Sequence, residues 1–163
     1  ARPFLRAWAR CVREGLRRVS WPGRFEVLSS APTVILDGAH NPEGMCALID
    51  ALSLLAPSER RTLVFGALAD KNAGRMLASA GPAFDRIVLV RPDSERAADP
   101  RELADLVPDG PEAIVRGGVG GALAEILDGA GARDRIVVAG SLYLVGEARA
   151  SFRAAGARTL PVQ

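Results

Sequence analysis

Short runs of β-branched and aliphatic residues, each beside a helical pattern, constrain the fold of this chain more than any other feature. Six such runs lie near residues 25–28, 33–36, 62–66, 86–90, 113–116 and 135–139. Helical patterns cover residues 42–55, 72–80, 100–106, 119–128 and 142–154. Runs such as Ile87-Val88-Leu89-Val90 lack the alternation of a half-exposed strand, so they suit a parallel sheet covered on both faces. The sequence therefore predicts an α/β fold with a doubly wound, mostly parallel six-stranded sheet and helices on both faces.

The first two predicted strands cannot be joined in the same way as the others. Only residues 29–32 separate them, whereas a parallel crossover needs about a dozen residues or more. We therefore expect one antiparallel strand at an edge of the sheet. The length of 163 residues suits one domain, or one domain with a short appendage.

The amino-terminal segment has no predicted strand and is much more basic than the rest of the chain. Residues 4–19 place apolar side chains at three- and four-residue steps beside a second stripe of arginines, which predicts an amphipathic, cationic helix. Residues 1–24 carry seven Arg against Glu14 alone, whereas the rest of the chain has 14 basic and 18 acidic groups. A basic helix can bind nucleic acid or an anionic membrane. We favour the alternative, in which the basic face is solvated and the apolar stripe docks on protein.

The counts of cysteine and histidine exclude several classes of protein. Cys11, Cys46 and His40 are too few for a four-ligand structural zinc site, and two cysteines do not make a disulfide framework. We expect a reduced, cytoplasmic protein in which both cysteines have packing roles. The longest uncharged run near the carboxyl end, residues 136–146, is shorter than the roughly 20 residues of a spanning helix, so no membrane segment is predicted.

Neither common phosphate-binding loop is present in the sequence. A Walker A loop needs a Gly-Lys pair, but the sole lysine, Lys71, follows Asp70. The glycine-rich stretch 117–121 lacks the third glycine of a dinucleotide-binding loop, and we interpret it as a flexible connection before a helix. Any nucleotide chemistry must therefore use other groups.

Polar residues follow three of the predicted strands. Asp37 and His40 come after the second strand, Lys71 after the third and Ser141 after the sixth. Parallel strands end at one rim of a sheet, where loops converge and ligands bind. We therefore expect Asp37, His40, Lys71 and Ser141 to share one cleft.

Each of these residues also has an ordinary structural interpretation. Ser141 fits the N-cap of the last helix, and Asp37 and His40 fit a turn before Asn41. A lone lysine usually has no special role, yet the other 20 cations are all arginine, so Lys71 could be selected for a carboxylate or phosphate. Arg24, in the linker, suits a phosphate bound by a neighbouring domain and the charge of a phosphoryl-transfer step.

Four strings of residues provide a more specific signal. They are Trp21-Pro22-Gly23-Arg24-Phe25-Glu26, Asp37-Gly38-Ala39-His40-Asn41-Pro42, Phe65-Gly66-Ala67-Leu68-Ala69-Asp70-Lys71-Asn72 and Ala139-Gly140-Ser141-Leu142-Tyr143-Leu144-Val145-Gly146. In order and spacing they resemble the carboxyl-terminal part of the folylpolyglutamate synthase and dihydrofolate synthase family, which belongs to the Mur ligase superfamily.

The resemblance implies an ATP-dependent ligase that activates a folate or dihydropteroate carboxylate as an acyl phosphate, which the amine of L-glutamate then attacks. It implies catalytic roles for Arg24, Asp37 and His40, with Arg24 and Asp37 contacting ATP. It places His40, Lys71 and Ser141 on the glutamate side. It assigns no metal ligand to this chain, because ATP and Mg²⁺ would be bound mainly by amino-terminal and central domains outside it. Neither nucleic acid nor a membrane is an expected partner.

The resemblance also divides the chain. Residues 1–23 would be the terminal helix and exit of a central ATPase domain, 24–156 the Mur-type carboxyl-terminal domain and 157–163 a tail. The isolated chain is then expected to be inactive, and its first helix to lack the normal partner of its apolar stripe. Two alternatives stay open: the carboxyl-terminal domain of another Mur-type amide ligase, and a non-enzymatic α/β binding module with a basic helix.

Overall fold

The computed structural model describes residues 2–17, 19 and 21–154. Its helices are α1 (Arg2–Arg17), α2 (Pro42–Ser53), α3 (Ala73–Ala80), α4 (Pro100–Ala104), α5 (Val119–Asp128) and α6 (Leu142–Ala154). Its strands are β1 (Glu26–Ser30), β2 (Thr33–Leu36), β3 (Arg61–Phe65), β4 (Arg86–Leu89), β5 (Glu112–Val115) and β6 (Arg135–Ala139). Every predicted element is present, and a 3₁₀ turn at Gly81–Ala83 is an addition. The predicted tail at residues 157–163 lies outside the described residues.

The six strands form one sheet in the order β1-β2-β6-β3-β4-β5. Strands β2, β6, β3, β4 and β5 run parallel, whereas β1 pairs antiparallel with β2. Only Ala31 and Pro32 separate β1 from β2, which is too short for a parallel crossover. The mostly parallel sheet with one antiparallel edge strand is therefore confirmed.

Helices cover both faces of this sheet. Helices α2, α3 and α4 pack Met45, Met76, Leu77 and Leu103 on one face, and α5 and α6 pack Leu123, Ile126, Leu144 and Phe152 on the other. Successive residues of a strand point to opposite faces, so Ile35 joins the first core, and Val34 and Leu36 join the second. Two buried faces explain why the strands are apolar throughout.

Helix α1 differs from the others in its exposure. All residues from 7 to 15 are exposed, including Trp8 at 62% and Val12 at 40%. The predicted packing of both cysteines was wrong, because both are exposed: Cys11 lies on this helix, and Cys46 lies on α2 with its Sγ 3.7 Å from Oγ of Ser79 on α3. Among the described residues, no helix combines the length and apolar content that a bilayer crossing requires.

Candidate functional site

The connection after β6 leaves the sheet on the opposite face from the connections of its neighbours. β2 and β3 lead into α2 and α3 on one face, and β6, which lies between them, leads into α6 on the other. Such a reversal opens a space beyond the carboxyl ends of the strands, where α/β proteins bind ligands. We call this space, bounded by residues 37–41, 66–72 and 140–141, the crevice.

Backbone contacts join these three loops at the crevice. The N–H of Gly140 donates to the carbonyl of Ala39 at 2.8 Å, and the N–H of Asp37 donates to the carbonyl of Val138 at 3.0 Å. Gly140 has a φ of +126°, and a Cβ atom there would lie 2.6 Å from the carbonyl oxygen of Gly66. Only glycine therefore lets the loop after β6 lie this close to the loop after β3.

The carboxylate of Asp37 is hydrogen-bonded on both oxygens. Oδ2 accepts from the N–H of Phe25 and Oδ1 from the N–H of Ala39, each at 2.8 Å. Phe25 has a φ of 47°, a left-handed conformation that is costly for a residue with a side chain. Asp37 therefore holds the linker before β1 in place, and its remaining lone pairs can still accept a bond from a ligand.

Arg24 lies on the linker that Asp37 holds. Its side chain is exposed, and its N–H donates to the carbonyl of Trp21 at 3.1 Å. One guanidinium nitrogen lies 3.5 Å from the place that a Cβ of Gly38 would occupy. The charged head of Arg24 is thus beside the first loop of the crevice.

His40 and Asn41 lie where this first loop enters α2. His40 is half-buried, and its Nδ1 is 2.8 Å from the carbonyl oxygen of Gly38, so a proton on Nδ1 leaves Nε2 as an acceptor. The Asn41 side chain accepts from the N–H of Gly44 at 2.7 Å, which makes it the predicted N-cap. These bonds fix the imidazole at the start of α2.

Lys71 has a counter-ion of its own. Its Nζ is 3.4 Å from Oδ2 of Asp70, and Oδ1 of Asp70 is 2.9 Å from Arg96. Desolvation tends to raise the pKa of Asp70, but the hydrogen bond from Lys71 and the charge of Arg96 together hold that pKa below its ordinary value. An incoming anion would therefore compete with Asp70 for this ammonium.

Ser141 is the N-cap of α6. It is only 2% exposed, and its Oγ accepts from the N–H of Leu144 at 3.1 Å. A hydroxyl that accepts one bond can donate another, so capping and ligand binding are compatible. The structure thus brings the loops of Asp37, His40 and Ser141 into contact, and places Lys71 further along the loop that touches Gly140.

Two charged residues near the crevice had no role in the sequence analysis. Oε2 of Glu26 accepts from the N–H of Gly23 at 2.8 Å, and Oε1 pairs with Nε of Arg149 at 2.9 Å. Arg149 belongs to α6, where it follows the buried Val145 and Ala148. The sequence could have drawn attention to Arg149, because an arginine next to the apolar side of an amphipathic helix often has a partner nearby. It gives no sign that this partner is Glu26.

The crevice suits anionic groups more than a resident metal ion. Its exposed guanidinium from Arg24 and its two helix N-termini attract negative charge. Within residues 2–17, 19 and 21–154, no three His, Cys, Asp or Glu side chains are grouped so as to hold a metal.

Comparisons with protein families, with curated proteins and with solved structures all point to the same kind of protein. Residues 23–142 match the family described as "Mur ligase, glutamate ligase domain". A probable bifunctional folylpolyglutamate synthase/dihydropteroate synthase of Haloferax volcanii is 40% identical over 150 residues, which is 88% of this chain and 17% of the relative. The solved structure of E. coli FolC in complex with DHPP and ADP has a TM-score of 0.82 at 27% identity, over 89% of this chain and 34% of that chain.

A solved bifunctional folylpolyglutamate synthase/dihydrofolate synthase with Mn, AMPPNP and L-glutamate bound has a TM-score of 0.78 at 29% identity, over 87% of this chain and 34% of that one. The chain thus spans about a third of the length of these solved chains. The family match includes Arg24, Asp37, His40, Lys71 and Ser141 and covers most of the chain. The chain therefore belongs to the Mur ligase family, in which it matches the glutamate ligase domain.

Proposed function

We propose that this chain is the carboxyl-terminal domain of an ATP-dependent ligase that adds L-glutamate to a folate or dihydropteroate carboxylate. The observation that carries the proposal is the crevice, where the loop holding Asp37 and His40 meets the capped start of α6. It belongs to a domain whose solved relatives contain ADP in one case and AMPPNP, Mn and L-glutamate in another.

The proposed reaction has two steps. The carboxylate of the folate or dihydropteroate attacks the γ-phosphorus of ATP, and ADP leaves. The neutral amine of glutamate then attacks the carbonyl carbon of the acyl phosphate, the bond to the phosphate oxygen breaks, and the amide, phosphate and one proton are released. The guanidinium of Arg24 would bind the ATP phosphates and stabilise the charge of the transferring group. Asp37 would hold the Arg24 linker and contact ATP through its remaining lone pairs.

His40, Lys71 and Ser141 are proposed to contact the incoming glutamate. A hydroxyl at a helix N-terminus and an ammonium both suit carboxylates. A neutral His40 with its proton on Nδ1 would present Nε2 as an acceptor for the glutamate amine. Lys71 would exchange Asp70 for a substrate carboxylate.

ATP, Mg²⁺ and most of the pterin site are assigned to domains outside this chain. The divalent ion would neutralise the phosphates of ATP. Residues 1–23 would be the end of the central domain, which accounts for the exposure of Trp8, Val12 and Trp21, followed by the ligase domain at 24–156 and a tail at 157–163. The chain alone is expected to be inactive. A cytoplasmic location is proposed because Cys11 and Cys46 are not in disulfides.

The test is an assay of the full-length enzyme with ATP, labelled L-glutamate and either dihydropteroate or a folate. We expect Arg24→Ala and Asp37→Ala each to lower turnover by about 100-fold or more, since each removes a group that acts on ATP or on the linker. Arg153→Ala, at an exposed arginine of α6, is the matched control. Wild-type turnover in both variants would refute the assigned roles.

The same assay distinguishes the alternatives. Amide formation on a cell-wall precursor and not on a pterin would identify another Mur-type ligase. A full-length protein that consumes no ATP with any carboxylate acceptor would favour the binding module.

A further inference from the structure

We propose that Glu26 and Arg149 are positioning residues for Arg24, because their ion pair seats the linker of Arg24 on helix α6. The catalytic consequence rests on the proposed function of Arg24. The contact between this linker and α6, which we call the seat, is a feature of the fold and does not depend on that function.

The linker around Arg24 has an unusual backbone. Gly23 and Phe25, on either side of Arg24, both have positive φ values, +73° and +47°. Glycine adopts a positive φ at little cost, but for Phe25 this conformation is strained and persists only where surrounding contacts hold it. The carbonyl of Gly23 accepts from the N–H of Gly38 at 2.7 Å, and the N–H of Phe25 donates to Asp37 at 2.8 Å. These two bonds attach the linker to the loop after β2.

Glu26 attaches the same linker to a different element. One oxygen accepts from the N–H of Gly23 at 2.8 Å, and the other is 2.9 Å from Nε of Arg149 on α6. The Glu26 side chain is 13% exposed and that of Arg149 is 29% exposed. Partial burial reduces the solvent screening of this pair relative to that of the exposed ion pairs of the chain.

One face of α6 forms the seat. Leu142, Val145 and Arg149 are three and four residues apart, so their side chains lie along one side of the helix. A Cβ on Gly38 would lie 2.5 Å from Cδ2 of Leu142, and one on Gly23 would lie 2.9 Å from Cγ1 of Val145. The glycines therefore let the linker and the loop after β2 lie directly on α6.

The seat links the two sides of the proposed active site. Helix α6 begins beside Ser141, which is proposed to contact glutamate, and its second half carries Arg149, which holds the linker of Arg24 through Glu26. Because α6 is rigid, the distance between Ser141 and Arg149 is fixed. This distance would set where the guanidinium of Arg24 lies relative to the incoming amine. Arg149 and Glu26 touch no reacting atom in this scheme, and they act through Arg24.

The test uses the full-length enzyme with Glu26→Gln, Arg149→Gln and the control Arg153→Gln on the same helix. Glutamine keeps an oxygen for the Gly23 N–H but loses the charge that attracts Arg149. We expect kcat to fall about tenfold to 100-fold in both variants, because misplacing a catalytic group by about 1 Å has effects of this size. Arg149→Lys should recover part of the loss, and Arg153→Gln should match the wild type.

A double-mutant cycle separates positioning from general support of the fold. In an Arg24→Ala background, Glu26→Gln should leave kcat unchanged within about twofold, since the group that it positions is gone. The same fold loss with and without Arg24 would overturn the proposal, as would wild-type kcat in both glutamine variants.

Hydrogen exchange on the same full-length protein tests the contact between the linker and α6 independently of the proposed ligase activity. We expect faster exchange at residues 23–26 in Glu26→Gln and Arg149→Gln but not in Arg153→Gln. Unchanged exchange would refute the seat. Faster exchange in an enzyme that cannot ligate glutamate would leave the seat standing, while refuting both the proposed function and the positioning of Arg24 for it.

Discussion

Replacing Gly140 with alanine tests whether the crevice depends on close contact between two loops. The new Cβ would lie 2.6 Å from the carbonyl oxygen of Gly66 and 3.1 Å from its carbonyl carbon and nitrogen, and none of these backbone atoms can rotate away. The φ of +126° at this position adds about 1–3 kcal/mol of backbone strain, and overpacking adds about 1–3 kcal/mol. Reduced freedom of the unfolded chain offsets about 0.4–1 kcal/mol. We expect the free energy of unfolding to fall by about 3 kcal/mol.

Urea and thermal unfolding followed by circular dichroism measure this loss. For a chain of this size, about 3 kcal/mol corresponds to a Tm lower by about 6–12 °C. Gly146→Ala is the matched control on the neighbouring helix, because its Cβ meets nothing within 4 Å, and alanine there should stabilise by roughly 0.5–1 kcal/mol. A Gly140→Ala protein within about 0.5 kcal/mol of the wild type would show that the two loops are not in close contact.

Two further predictions concern an ion pair and a helix cap. The hydrogen bond from Arg61 holds the pKa of Asp85 below its ordinary value, against the effect of burial. The pair therefore stabilises the fold above the unfolded pKa of about 3.9, and this contribution is lost as pH falls through the lower folded value. In urea unfolding at a series of pH values, Asp85→Asn should destabilise at pH 7, and the difference from the wild type should shrink as pH falls below about 4 and vanish only below the folded pKa of Asp85; a constant difference would contradict this. Ser141→Ala should cost about 1 kcal/mol and speed amide exchange in the first turn of α6, and unchanged exchange there would exclude the cap.

Sequence patterns predicted the sheet well because its interior is apolar on both faces. Runs such as Ile87-Val88-Leu89 can be fully buried only in a strand covered on two sides, and the short connection 29–32 allowed only an antiparallel pair. The N-caps Asn41 and Ser141 were also predictable, since capping depends on residues close in sequence. The cysteines were mispredicted, because a helical pattern alone does not tell whether a borderline position faces the core.

Local sequence patterns could not predict which residues the site residues contact. Asp37 holds Phe25, twelve positions earlier, and Glu26 pairs with Arg149, which is 123 positions later. From the sequence, Lys71 could be an ammonium selected for a ligand. In the structure, Asp70 lies between Lys71 and the distant Arg96 in one ion-pair network. Such contacts depend on which loops the strand order brings together.

The sequence by itself determined the order of helices and strands, the parallel character of the sheet and the set of polar residues at its carboxyl ends. These properties follow from hydrophobic periodicity and from caps and turns, which act over a few residues. Only the tertiary structure decided that β6 lies between β2 and β3, that Gly140 meets Gly66, and that α6 seats the linker of Arg24. The physical reason is that strand order and helix docking are set by packing between residues far apart in the chain, where one Cβ or one partly buried ion pair can determine which loops touch.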